Sequence, residues 1–221
     1  MALGASYLRP GDGVLDVGCN EGGYAKVYAD KVGPTGYVRG IEPHAGACAK
    51  AREHTKDRPW MTVQQVALGA PPVDPGPQFS IRGLLWSSSN SKQASMEKAN
   101  CQGVPEAQPV VITTLDLVVA PLPAPPRLIK IDAQGSEARI LRGATETLDA
   151  MTSIWVVEIW QPGLEAMGAT VEDVLQPFEW RGYVPYGPDG GPEYTWSHVR
   201  AQSVQKGHSS IDVAFIPPGV A

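Results

Sequence analysis

The sequence predicts an α/β fold with one mostly parallel sheet in a single domain, residues 1–221. Three observations predict it. Short apolar runs alternate with stretches of helical period, the mark of a sheet covered by helices. The first such run opens directly into a glycine-rich turn, "VLDVGCNEGGYAK" at residues 14–26. Finally, 43% of 221 residues are hydrophobic, enough for one sizeable core but thin for two.

The elements follow in order. "GVLDVG" (13–18) reads as a buried strand, "GYAKVYADKV" (23–32) as a helix, "YVRGIE" (37–42) as a strand, and "HAGACAKAREH" (44–54) as a helix. "MTVQQVAL" (61–68) is expected as one third strand, completing a βαβαβ half of the kind that binds a nucleotide at the carboxyl ends of its strands. Residues 69–109 form a Pro/Ser-rich excursion with a short strand-like "FSIRGLLW", read as a mobile cover over the active face. "VVITTLDLVV" restores order and "PLPAPP" ends it. "RLIKID" (127–132) is a strand. "SEARILRGATETLDAM" (136–151) is a single helix with Ile140, Leu141, Ala144, Leu148 and Met151 on one face, and "SIWVVEIW" (153–160) is the next strand. Thr170 and Asp173 form a capping box for a helix that Pro177 should break or kink. "YVPYG" and "SIDVAFIPP" close the sheet, expected antiparallel to the rest because only a hairpin-like excursion separates them.

Composition excludes several classes. A net charge of −5 without clustered Lys and Arg argues against nucleic acid as the main partner. Cys19, Cys48 and Cys101 form no CxxC pair and no ligand spacing with the four histidines, so neither a disulfide framework nor a metal site is expected. No apolar run approaches the ~20 residues of a membrane helix, and the amino terminus lacks the layout of a signal peptide. A cytoplasmic protein without a membrane partner is expected.

The first turn narrows the ligand. A P-loop needs Gly-Lys-Ser/Thr where this chain has Gly22-Gly23-Tyr24, and a dinucleotide turn needs a middle glycine where it has Asn20. What remains is Asp-x-Gly-x-x-x-Gly: Asp16 ends the strand, Gly18 makes the turn, and Gly22 lets the helix pack close. This suits S-adenosylmethionine, which carries an ammonium and a sulfonium but no phosphate. Asp16 can position the ammonium, and Glu42, at the end of the second strand, can accept from both ribose hydroxyls. Alternatively, Asp16 caps a helix.

"LIKIDAQGSEARILRGA" (128–144) resembles the signature segment of the FkbM-type methyltransferases. "VLDVGCNEGGY", "GIEP", "VALG" (66–69), "TTLD" (113–116), "VVEI" and "DVAFIP" support the likeness, which covers residues 10 to 217. The resemblance implies a Rossmann-like class I methyltransferase fold, with a seven-stranded sheet and an antiparallel closing strand. It implies O-methylation of a sugar or other small-molecule natural product with S-adenosylmethionine as cofactor. Cofactor contacts would come from Asp16, Gly18, Cys19, Asn20, Gly22, Tyr24, Glu42, Pro43, Ala67 and Asp132. The chain departs from the family at Gln134, where members usually carry an acidic residue, and at Trp160, often His. Its amino-terminal extension is short, which leaves the acceptor side for a large acceptor or for closure by a partner subunit, a homo-oligomer included.

Methyl transfer is an in-line displacement, so the protein aligns an acceptor and removes its proton. Residues two apart on a strand share a face, which brings Lys130 and Asp132 together at a strand's carboxyl end, with Glu158 late in the next strand. Asp132 is the expected base or acceptor-orienting group, with Lys130 and Glu158 beside it. The alternative is a polar cluster that only stabilises the strand ends. His44 as a base, Ser87, Ser88, Ser89 and Asn90 as a lid, and Trp160 and Trp196 as stacking platforms are weaker candidates. Two other classes stay open: a catalytically silent S-adenosylmethionine-binding module or partner subunit, and a nicotinamide-dependent oxidoreductase.

Overall fold

The computed structural model describes residues 2–70, 81–87, 96, 106–204 and 210–220. A 3-10 turn, Ala5–Tyr7, leads into β1 (Gly13–Val17), α1 (Gly23–Val32), β2 (Tyr37–Ile41), α2 (Ala45–Glu53) and β3 (Met61–Gln64). Then come β4 (Ala67–Leu68), β5 (Ile81–Ser87), β6 (Glu106–Thr113), α3 (Leu115–Val119) and β7 (Leu128–Ile131). The second half holds α4 (Glu137–Arg142), α5 (Thr145–Asp149), β8 (Ile154–Ile159), α6 (Gln161–Ala166), α7 (Val171–Glu179), β9 (Val184–Tyr186), α8 (Trp196–Ser203) and β10 (Ile211–Ile216).

Seven strands form the main sheet in the order β3-β2-β1-β7-β8-β10-β9, and β4-β6-β5 form a second, three-stranded sheet. The main sheet is parallel except for β10, which runs antiparallel to both β8 and β9. Only one of the two closing strands is therefore antiparallel. β9 runs with the parallel set, and α8, not a bare hairpin, connects it to β10.

Three further expectations are corrected. "MTVQQVAL" is two strands: β3 stays in the main sheet while Ala67 and Leu68 pair with Ile112 and Thr113 of β6. The helix expected over 136–151 is two, α4 and α5, broken at Gly143. There the backbone is pressed against Gly69, whose carbonyl would lie 2.3 Å from a Cβ, while the Gly143 carbonyl accepts from Asp116 N. That contact joins the second sheet to the α4–α5 layer. Pro177 does not break α7, which continues through it to Glu179 behind the expected Thr170/Asp173 capping box. In the excursion, β5 and β6 are ordered strands, and residues 71–80, 88–95 and 97–105 lie outside the described residues.

Strand alternation sorts the core into two layers. Leu15, Val17, Ile129, Ile131, Trp155, Val157, Val213 and Phe215 face α4, α5 and α7. Val14, Leu128, Ile154, Val156 and Ala214 face α1, where Ala25, Tyr28, Ala29 and Val32 are fully buried. On this second face the rows change character along the strands. Val14 is followed by Asp16, Leu128 by Lys130, and Val156 by Glu158. The amino end is hydrocarbon and the carboxyl end is charged, so the site lies at the carboxyl end.

Candidate functional site

A cavity of about 530 Å3 opens over the carboxyl ends of β1, β2, β7 and β8. Gly18, at φ +75°, turns the chain out of β1, and a Cβ there would lie 1.8 Å from the Asp132 carbonyl oxygen. Only glycine lets the β1 and β7 ends come this close. The amides of Gly18 and Cys19 both donate to the Ile41 carbonyl, which ties the turn to β2 as well. Asn20, at φ +49°, completes it. Gly22 stands behind the turn, off the cavity, and meets Ala51 of α2: a Cβ there would be 3.0 Å from the Ala51 Cβ.

Glu42 follows β2. Its Oε2 accepts from Asn20 N at 2.9 Å and its Oε1 from His44 N at 2.7 Å, so two backbone amides fix the carboxylate on the cavity wall. Burial pushes its carboxyl up to about 7. Asp16 is fully buried, and among the described residues neither of its oxygens has a hydrogen-bond partner at ordinary distance, although the Ala25 amide and Lys130 both favour its charged form. The nearest cation is Lys130 Nζ at 3.8 Å, on the adjacent rung of β7. Burial, only partly offset by Lys130, raises Asp16 to about 6.

Lys130 is a buried ammonium between two carboxylates. It donates to Asp132 Oδ2 at 3.2 Å and lies 5.2 Å from the centre of the Tyr24 ring. Burial alone would lower its pKa, but Asp16 and Asp132 overrule this and raise it. At Asp132, burial raises and Lys130 lowers, and the lowering wins with help from Gln134, whose Nε2 donates to Oδ1 at 3.3 Å. Glu158 moves the other way. Burial and the Asp132 charge push it up to about 8, although Ser210 donates to its Oε1 at 2.8 Å. Asp212, paired in register with Glu158, is raised to about 6 by burial and by Asp132. Two adjacent carboxyls with pKa values driven apart can hold one proton between them.

The cavity thus brings together Asp16, Gly18, Cys19, Asn20, Tyr24, Glu42, Pro43, Ala67, Lys130, Asp132 and Glu158. Sequence reasoning missed the apolar wall of Val66, Leu68, Leu85, Met96 and Ile140. Leu85 lies in β5, within the strand-like "FSIRGLLW"; the strand was legible, its approach to the cavity was not. Asp212 was also missed, although "SIDV" repeats the apolar-then-acidic pattern of "VLDV".

The weaker candidates go elsewhere. His44 is the N-cap of α2, where its Nδ1 accepts from Ala47 N. Trp160 packs under Gly163, and Trp196 stacks on Phe215 at 5.8 Å; neither lines the cavity. Ser88, Ser89 and Asn90 lie outside the described residues, and of Ser87 only the strand backbone is described. Among the described residues there is no His/Cys/Asp/Glu group that could hold a metal and no helix long and apolar enough to cross a membrane.

A family model described as the methyltransferase FkbM domain matches residues 16–185. Among solved structures, a putative rRNA-methylase from Clostridium thermocellum superposes with a TM-score of 0.53 at 13% identity, over 96% of this chain and 90% of that one. A methyltransferase FkbM from Methylobacillus flagellatus KT gives 0.54 at 14% identity, over 94% of this chain and 44% of that one. This chain therefore spans less than half the length of that protein. An rRNA methylase from Streptococcus thermophilus gives 0.50 at 12% identity, over 96% and 90%. No curated protein sequence matches the chain. At these identities the structures share its fold, an α/β fold with a mostly parallel seven-stranded sheet. With the family model covering most of the sequence, the chain belongs to the FkbM methyltransferase family.

Proposed function

We propose that this chain binds S-adenosylmethionine in the cavity and methylates a hydroxyl oxygen of a small molecule, a sugar or other natural product. One observation carries the cofactor reading: Asp16 is a fully buried carboxylate on the cavity wall and, among the described residues, its oxygens accept no hydrogen bond of ordinary length, with Lys130 Nζ standing off at 3.8 Å. Leaving such a group unsatisfied is costly, and an ammonium donor would satisfy it. Glu42, held by two amides, keeps a lone pair on each oxygen for a pair of vicinal hydroxyls. The apolar wall of Val66, Leu68, Leu85 and Ile140 suits a flat heterocycle. When bound, the cofactor supplies an electrophilic methyl group on a sulfonium.

The chain's own residues would do the rest. Lys130 keeps Asp132 ionised at neutral pH, so Asp132 can accept a hydrogen bond from an acceptor hydroxyl and take up its proton. Burial and the Asp132 charge favour the protonated form of Glu158, so the proton shared by the pair rests on Glu158. Among the described residues, Lys130 is the single basic residue on a wall that also carries Asp16, Glu21, Glu42, Asp132 and Glu158. Such a wall favours the sulfonium cation and disfavours a phosphodiester acceptor. Two of the similar structures are a putative rRNA-methylase and an rRNA methylase, so ribosomal RNA belongs in the test.

A second reading, a binding module without turnover, draws on the fact that both Asp132 oxygens already accept bonds, from Lys130 and Gln134. The deciding experiment incubates the chain with radiolabelled S-adenosylmethionine and a panel of sugars, phenolic and polyketide alcohols, and ribosomal RNA. Methyl incorporation into a small-molecule hydroxyl, lost on Asp132→Asn, is expected. Incorporation only into RNA would overturn the acceptor class, and cofactor binding without incorporation anywhere would favour the silent module.

A further inference from the structure

Glu137, the first residue of α4, is fully buried yet does not line the cavity. Its Oε1 accepts from the amides of Ala133 at 2.8 Å and Gly135 at 3.3 Å, and among the described residues its Oε2 has no hydrogen-bond partner. A buried carboxyl is a costly way to satisfy two loop amides. Ser136, the N-cap and the usual residue type for that task, makes no side-chain capping bond.

The turn that Glu137 holds explains its cost. Gln134 and Gly135 are consecutive residues with positive φ, +52° and +96°. A non-glycine residue is held there only against a strain of about 1 kcal/mol or more. The two amides that Glu137 binds flank Gln134, one on each side. The turn is also wedged from both faces: the Asp132 carbonyl lies against Gly18, and a Cβ on Gly135 would lie 2.4 Å from the Gly163 carbonyl. Held this way, the Gln134 side chain reaches Asp132 and both line the cavity.

We propose that Glu137 is a positioning residue: by pinning the 132–136 turn through Ala133 and Gly135, it holds Asp132 against Lys130 and Gln134 and facing the cavity. This rests on the reading of Asp132 as the acceptor-side group. Glu137 touches neither cofactor nor acceptor and acts only through the turn.

The test needs no acceptor. The titration of Asp132 is followed by carbon-detected NMR in the wild type, Glu137→Gln, Glu137→Asp and a stability control, Leu141→Ala, from the same buried helix. Glu137→Gln removes the acid but keeps an oxygen within reach of both amides. Glu137→Asp keeps the acid but withdraws the carboxyl by one methylene. Pinning predicts that Glu137→Asp raises the Asp132 midpoint by about one pH unit as Asp132 drifts from Lys130, while Glu137→Gln leaves it within a few tenths. Burial pushes the Glu137 carboxyl up to about 7, so it is protonated where Asp132 titrates and loss of its charge alone would move Asp132 in neither variant. No movement of Asp132 in Glu137→Asp while Tm falls as in Leu141→Ala overturns the proposal. Wild-type hydrogen exchange is an independent check if Glu137→Asp folds poorly. Ala133 and Gly135 amides should exchange at least about a hundredfold slower than free coil, and coil-like rates would overturn the pinning. Calorimetry of the wild type with S-adenosylmethionine tests the functional reading separately, so the two can fail independently.

Discussion

Asp16, Glu42, Glu137, Glu158 and Asp212 are five acids that burial pushes in the same direction, and their protonation connects stability to binding. Their carboxyls are raised to about 6, 7, 7, 8 and 6, against roughly 4 in an unfolded chain. Between pH 4 and 8 the folded chain therefore holds more protons than the unfolded one. Their contribution to stability is fully present below about pH 4 and is lost as pH rises through 6 to 8. Thermal melts of the ligand-free chain should show Tm falling from pH 5.5 to 8.5, and a rising Tm over that range would contradict the assignment. Binding of a cationic ligand has the opposite slope, because Asp16 and Glu42 must ionise to receive it. S-adenosylmethionine should bind about tenfold more weakly at pH 6 than at pH 8, with proton release seen by calorimetry in buffers of different ionisation heat. The central lysine is the other residue to change. Lys130→Met leaves Asp16 and Asp132 without their cation and should cost about 3 kcal/mol or more of stability. Asp132→Asn should instead leave the fold nearly intact and lower turnover by roughly 10²- to 10⁴-fold. Equal Tm losses in both variants with no specific loss of rate would make the cluster structural.

The functional elements are the two strand-to-helix turns, after β1 and after β7, which touch each other through Gly18 and Asp132. Gly18→Ala combines a left-handed backbone with a Cβ inside contact distance of a carbonyl, so it should cost about 3 kcal/mol or more, measured by denaturant unfolding. A loss under about 1 kcal/mol would mean that the turns are not in contact. Elements set by local chemistry were legible: α1 between its glycines, the Thr170/Asp173 capping box, and the β1-α1-β2-α2-β3 alternation all stand where the sequence indicates. Elements set by distant contacts were not. Gly143 interrupts a continuous helical pattern because Gly69 and Asp116, far off in sequence, press on it. Ala67 and Leu68 leave the main sheet because β6 offers them pairing, and no local pattern announces a partner some 45 residues away. The direction of β9 depends on α8, whose pattern is weak in the sequence.

Across the whole molecule, acids from five separate strand ends converge at one end of one sheet face. The positions of Asp16, Glu42, Lys130, Asp132 and Glu158 were legible because strand ends and two-residue alternation are local patterns. Their pairing was less so: the position of Lys130 between Asp16 and Asp132 follows from the β1–β7 register, which no single segment encodes. Glu137 was invisible because its role runs through backbone amides. The central claim is that the cavity beside Asp16 and Glu42 takes S-adenosylmethionine, and titration calorimetry of the full chain at pH 8 tests it most directly. The account predicts one site per chain, with affinity reduced by on the order of 1.5 to 3 kcal/mol in Glu42→Ala, which loses a charged acceptor for two hydroxyls. No heat with S-adenosylmethionine or its demethylated product, or an unchanged Kd in Glu42→Ala, would contradict it.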